Sequence, residues 1–179
     1  SSQTLLTKPM GFDASSDIVS TATGILASFA VNGSQASNIS SAVKSNTTLN
    51  DIQQILNTTL AAVYNSAKQS YVGDQPQSFA TPFSRHVAAR TTLASLNGTV
   101  SFPGMASVVL SPNLAAQILG SASKGFTQPV SVIAESYNSS VLWARANKTF
   151  ISGVHGLSFF SDSGPIVVSN LPSNSSIQI

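Results

Sequence analysis

Acid–base, metal and thiol chemistry have little material in this chain. In 179 residues it has six carboxylates (Asp13, Asp17, Asp51, Asp74, Glu135 and Asp162), two histidines (His86 and His155) and no cysteine. Hydrolytic acid–base catalysis needs two carboxylates converging on one bond. Asp17 and Asp51 fall in the first turns of predicted helices, where free N–H groups and the helix dipole account for an acidic side chain. Asp74 and Asp162 belong to glycine-bearing turns. Glu135, in a predicted strand, is the exception, and Glu135 with Asp162 is the pair that a secreted carbohydrate-active enzyme would require. For a metal, the histidines are about 70 residues apart by number and no His-x-x-x-His or acidic calcium loop occurs. His155 alternates onto the face of Ile151, Leu157 and Phe159, which predicts a packed histidine rather than a ligand.

Nucleophilic and phosphate chemistry are no better supplied. No Gly-x-Ser-x-Gly elbow occurs among the 33 serines, and this is the motif that would expose a hydrolase serine on a sharp strand-to-helix turn. In "GSASKG" (120–125) the lysine precedes the second glycine, so the spacing is not that of a phosphate loop. Trp143 in "SVLWARANK" could offer a platform for a sugar ring, although a lone tryptophan in an apolar run reads first as core. The expectation is a non-enzyme with no catalytic, cofactor-binding or metal-binding residue.

One side-chain chemistry is abundant. Eight of the 12 asparagines begin an Asn-x-Ser/Thr sequon: Asn32, Asn38, Asn46, Asn57, Asn97, Asn138, Asn147 and Asn174. With 33 Ser and 14 Thr, random placement would give about three, taking the acceptor rule at face value. N-linked glycans on these eight residues are therefore expected. They would also explain the surface, because only 8 % of residues are charged against about 25 % in ordinary soluble domains. Something other than charge must then keep the chain in solution.

The eight cations are scattered and the net charge is +2, so no stripe exists to track a phosphate backbone and nucleic acid is excluded as a partner. No stretch of about 18 apolar residues spans a bilayer, so membrane association would come only through regions outside this sequence. The absence of cysteine in an exported chain implies either a core able to stand without disulfides or bridges that lie outside this segment.

Two halves of different hydrophobic period must carry these residues. In the first, Ser15 or Ser16 is the predicted cap of a helix with Ile18, Ala22, Ile25, Leu26 and Phe29 on one face, ending near Asn32-Gly33. A short helical segment is expected in "ASNISSAVKS". A longer helix follows, opened by Thr48 and Asp51 as hydroxyl and acid three apart, with Leu49, Ile52, Leu56, Leu60, Val63 and Tyr64 as its apolar stripe. "GDQPQSFATPF" reads as a connection punctuated by Pro and Gly. Strands are then predicted at 85–94, 99–102, 107–110, 129–137, 149–160, 165–169 and 176–179. The expected fold class is α+β: a small N-terminal helical subdomain (1–72) followed by an antiparallel β-sandwich (73–179).

Several stretches together resemble the GAIN domain, the autoproteolysis-inducing domain of adhesion G-protein-coupled receptors and polycystin-1-like proteins. "NTTLNDIQQILNTTLAAV" is similar to the helices of its first subdomain, and "GTVSFPGMASVVL" and "PVSVIAESYNSS" to strands of its second. "KTFISGVHGLSFFSDSGPIVVSNLPSNSSIQI" matches best: a strand, a hairpin, a strand ending in Asn-Leu, and a further strand. The similarity covers most of residues 15–179. The family's cleavage element, a segment with Cys and Trp ending in His-Leu before Ser or Thr, has no counterpart here, so no catalytic residue carries over.

The resemblance implies an extracellular, membrane-anchored glycoprotein domain at a cell surface, such as that of a cilium or flagellum. Its role would be structural and force-transmitting: Ser176–Ile179 reads as a strand leading to a tethered downstream segment that the domain holds. Other extracellular proteins are the further expected partners. The competing expectation is a purely structural or adhesive cell-surface, cell-wall or surface-filament module, and the third is the secreted carbohydrate-active enzyme.

Overall fold

The computed structural model describes residues 11–34, 46–96, 98–105, 108–110, 127–137, 154–168 and 177–178. Helix α1 (Phe12–Ser34) begins one turn before the predicted cap. Gly11 is the flanking residue, its carbonyl accepting the Ser15 N–H at 3.1 Å. Ser15 is therefore an interior helical residue, fully buried, and not a cap. Its buried stripe is Ser15, Val19, Ala22, Thr23 and Leu26, while Ile25 stands 45 % exposed. Helix α2 (Asn46–Gln69) likewise starts before Thr48. Ile52 is buried on one face, and the seven residues Ala61–Ala67 are buried without interruption.

Serine and threonine are poor helix formers because their hydroxyls compete for backbone groups. Several of these hydroxyls settle the competition inside their own helix, whereas those of the buried Ser15 and Ser66 have no hydrogen-bond partner. Thr23 donates to the Val19 carbonyl at 2.7 Å and Ser28 to that of Ile25 at 2.7 Å. In α2, Thr58 and Thr59 donate to the carbonyls of Gln54 and Ile55 at 2.8 and 2.9 Å. A hydroxyl folded back on its own helix can be buried without a tertiary partner, which lets a chain so rich in Ser and Thr build helices with a buried face.

After the helices come two sheets. The five-stranded sheet has the order β1-β2-β5-β6-β7, with β1 (Gln77–Ala80), β2 (Ser84–Thr92), β5 (Pro129–Tyr137), β6 (Val154–Ser161) and β7 (Gly164–Ile166). The three-stranded sheet has the order β3-β4-β8, from β3 (Gly98–Val100), β4 (Val108–Leu110) and β8 (Ile177–Gln178). A 3-10 turn, Leu93–Leu96, follows β2. The fold class is α+β. Strand β5 is central in the larger sheet, and its residues 130–134 are all buried, as expected for a strand covered on both faces.

Strand β1 lies within the stretch predicted as a connection. Its link to β2 is closed by Thr81, whose N–H donates to the Ser84 carbonyl at 2.8 Å, while its hydroxyl accepts the Ser84 N–H at 3.0 Å. The predicted short helix in 36–45, the loop at 120–125 and Trp143 lie outside the described residues.

The chain separates into two compact units: Ser1–Ser66 with Phe79–His86 and Glu135–Gly156, and Ala67–Ser78 with Val87–Ala134 and Leu157–Ile179. Strands β2, β5 and β6 each contribute residues to both, and the border expected at 72/73 falls inside the first segment of the second unit. The first unit's core groups Leu26 of α1, Ile52 of α2, Phe83 and Tyr137, with Ile55 and Leu56 packed against them. In the second, Val87, Leu93, Leu96, Phe102, Leu110, Val130, Val132, Ala134 and Phe159 form one apolar cluster drawing on strands of both sheets.

Candidate functional site

Glu135 lies in a strand and Asp162 in a glycine-bearing turn, as expected, whereas His155, Asp17 and Asp51 do not lie where the sequence placed them. His86 is completely buried near the start of β2. Its Nε2 lies 3.2 Å from the Ser84 hydroxyl, and its ring meets that of Tyr137 edge-on at 5.5 Å. Nδ1 has no hydrogen-bond partner. Burial pulls the imidazole down to about 4, so His86 is neutral at physiological pH. His155, expected to be packed, is exposed. The alternation of β6 breaks near its far end, where consecutive Phe159 and Phe160 are both buried, so parity is no guide to its earlier residues.

Glu135 and Tyr137 share one face of β5, two residues apart. The Tyr137 hydroxyl donates to Glu135 Oε2 at 3.0 Å. Withdrawal from water pushes the Glu135 carboxyl up, partly opposed by that hydrogen bond. The Tyr137 phenol is pushed up by burial first and by the neighbouring carboxylate second. With Phe83, whose ring stands 6.1 Å from that of Tyr137, these groups form a polar pocket of core in the first unit. The acid and phenol satisfy each other, and the imidazole hydrogen-bonds neither of them, so no hydrogen-bonded path for a proton joins the three.

Asp162, the proposed catalytic partner of Glu135, belongs to the second unit and has partners of its own. Its Oδ1 accepts from Arg90 at 2.7 Å, with the Arg90 side chain 10 % exposed and that of Asp162 49 %. Lys68 Nζ donates to the Asp162 carbonyl at 2.8 Å, and Arg90 also reaches the Ser131 hydroxyl at 3.4 Å. Asp162 sits at the tip of the β6–β7 hairpin, where Ser161 pairs with Gly164 across a two-residue loop. Two cations on one loop describe a clamp. Glu135 and Asp162 thus serve two separate structures, and the described residues include no cluster of three or more His, Cys, Asp or Glu that could hold a metal.

Asp17 and Asp51 are corrected too. Because both helices start early, each is the sixth residue of its helix, past the first turn where the dipole acts. Asp13 is the acid in the first turn of α1, and α2 has none.

Of the sequons, Asn57 can be placed fully. It is exposed in the middle of α2, on a helix instead of the loop that the motif predicts, and its Oδ1 accepts from Gln53 Nε2 at 3.0 Å. The nitrogen that would carry a sugar is left to solvent. Asn32 lies in the last turn of α1 and Asn46 opens α2. Asn38, Asn97, Asn138, Asn147 and Asn174 lie outside the described residues.

The remaining site is a sheet edge. Strand β8 pairs antiparallel with β4, Val109 opposite Gln178 and Leu110 opposite Ile177, and stands at the end of the strand order. No protein family matches the chain, and no curated protein does either.

Proposed function

We propose that the chain is a structural, strand-holding module of an extracellular N-glycosylated protein, similar in plan to a GAIN domain, anchored to a membrane by other parts of its protein. The observation that carries this reading is β8. It is a hydrogen-bonded strand at the edge of the three-stranded sheet, the place where a further strand adds through main-chain hydrogen bonds. Each such bond contributes only about 1 kcal/mol net, so a held strand depends on several bonds together and on side chains buried beneath it. This suits a module that transmits force or holds a tethered segment. The exposed amide of Asn57 and the low charge support the glycoprotein side of the reading.

Amide hydrogen exchange tests the carrying observation. Successive residues of an edge strand point their N–H groups alternately toward the sheet and away from it. One of the Ile177 and Gln178 amides is therefore expected to exchange far more slowly than in a free chain, and proline at that position, which removes the ladder donor, should release the protection across the β4–β8 pair. Free-chain exchange at both Ile177 and Gln178 in the unsubstituted protein would end the proposal. Peptide mapping before and after deglycosylation tests the glycans, and unmodified asparagine at all eight sequons of secreted material would remove that part.

A further inference from the structure

Helices α1 and α2 enclose a groove of about 560 Å³ that the strand-holding reading leaves unused. Ala22 forms its buried floor, and Ile18, Ile25 and Ile55 give it an aliphatic wall. Ile25 keeps 45 % of its surface in water, beside Ile18 and Ile55, which are only partly buried. Asp17 projects from one helix and Asp51 from the other, both exposed. These are two of only six carboxylates in the whole chain. Their positions past the first helical turn remove the dipole explanation, and no described cation pairs with either aspartate.

An apolar floor flanked by two exposed carboxylates that pair with no described cation selects a ligand with an aliphatic body and positive charge. The volume is within the range of ordinary ligand sites. Much of the lining is open to solvent, so a small molecule seated there would keep much of its own surface wet. A segment lying along both helices would cover Ile25 while bringing cations to both walls. We infer that the α1–α2 groove docks an amphipathic segment of a partner protein in which aliphatic residues are interleaved with Lys or Arg.

The test is an NMR titration of the whole chain with a synthetic helix-forming peptide of Leu and Lys in amphipathic order. Saturable amide shifts are expected at Ile18, Ala22, Ile25 and Ile55. The double variant D17N/D51N, which alters two exposed side chains and creates no new sequon, should weaken binding tenfold or more at low salt. Binding to the unsubstituted chain should also weaken as salt rises, and a Leu/Glu peptide of the same pattern should not bind. Unchanged affinity in D17N/D51N, or shifts centred elsewhere, would overturn the inference. Equal affinity for octylamine would make the groove a small-amphiphile site, and self-association that shifts the same amides would make it a contact between copies. If deletion of residues 1–10 alone moved these amides, the groove would be occupied from within. Each of these three results defeats the proposal of a partner segment without touching the reading of β8.

Discussion

The two units bury different kinds of side chain. Of the nine described side chains that are polar and buried, Ser15, Thr23, Thr59, Asn65, Ser66, Ser84 and His86 belong to the first unit, leaving only Ser131 and Ser161 in the second. The first unit also holds Glu135 and Tyr137, joined by their hydrogen bond. The second surrounds a cluster of Val, Leu, Phe and Ala and keeps its charge at the rim, in the Arg90–Asp162 pair and the lysine that supports it. A chain with so few charges has therefore concentrated its titratable burial in one place. The second unit should answer to packing defects and the first to pH.

Packing gives the largest effect. Phe159→Ala removes a buried ring from the second unit's cluster and is expected to cost about 3–5 kcal/mol, read as a lower urea midpoint with little change in the pH dependence of stability. A pH profile altered as much as the midpoint would mean that the two units do not divide these sensitivities.

The pH response should come from His86. Its folded value of about 4 lies below the ordinary value near 6.5, so between those limits the unfolded chain binds a proton that the folded chain refuses. Stability therefore rises with pH across this window. The contribution is complete above about pH 6.5 and is lost as pH falls toward 4, amounting to about 3 kcal/mol. Glu135 acts with the opposite sign. Its carboxyl is raised by burial, so the folded protein holds that proton more tightly, and stability falls as pH rises from about 4.5 through the raised value. Thermal melts across pH 4–8 separate the two. His86→Gln should flatten the acid loss, whereas Glu135→Gln, which keeps an acceptor for Tyr137, should raise the melting temperature at pH 7 and steepen the loss in acid. An unchanged profile in both variants would remove the contrast between the units.

How far the sequence could be read follows from the same physics. Strand β5 was legible to the residue because its buried run is continuous and Pro129 opens it. Strand β1 was not, because Pro76 and Pro82 flank it and the Thr81–Ser84 turn depends on side-chain hydroxyls. The helix starts were misread because Ser15 and Thr48 look like caps, while Gly11 does that work for α1 and Asn46 already opens α2. The misplaced starts then hid the meaning of Asp17 and Asp51. For the histidines, alternation in β6 pointed inward at His155, whereas His86 carried no flag beyond its place between Arg85 and Val87. Tertiary cover decides which histidine is buried, and a strand pattern shows only which side it faces.

Turn geometry should matter less than core. Gly164, closing the β6–β7 hairpin, has φ +137°, a conformation open to glycine and strained for other residues. Gly164→Ala is expected to cost about 1–2 kcal/mol even though a Cβ there meets nothing within 4 Å. A denaturation midpoint equal to that of the unsubstituted chain would show that the hairpin relaxes and that the clamp does not depend on its shape.

The smallest effect sharpens the comparison most. Asp162 is half exposed, so its pair with Arg90 is screened by water and salt, and such pairs contribute at most about 1 kcal/mol. Arg90 is nearly covered, however, and retains Ser131 at 3.4 Å as a second acceptor. Asp162→Asn keeps an oxygen for Arg90 and leaves the backbone carbonyl that Lys68 uses, so it should cost about 0.5–1 kcal/mol, a difference that shrinks in high salt. A loss of several kcal/mol that persists in high salt would place an essential charge pair inside the second unit, and the division between an apolar unit and a titratable one would no longer hold.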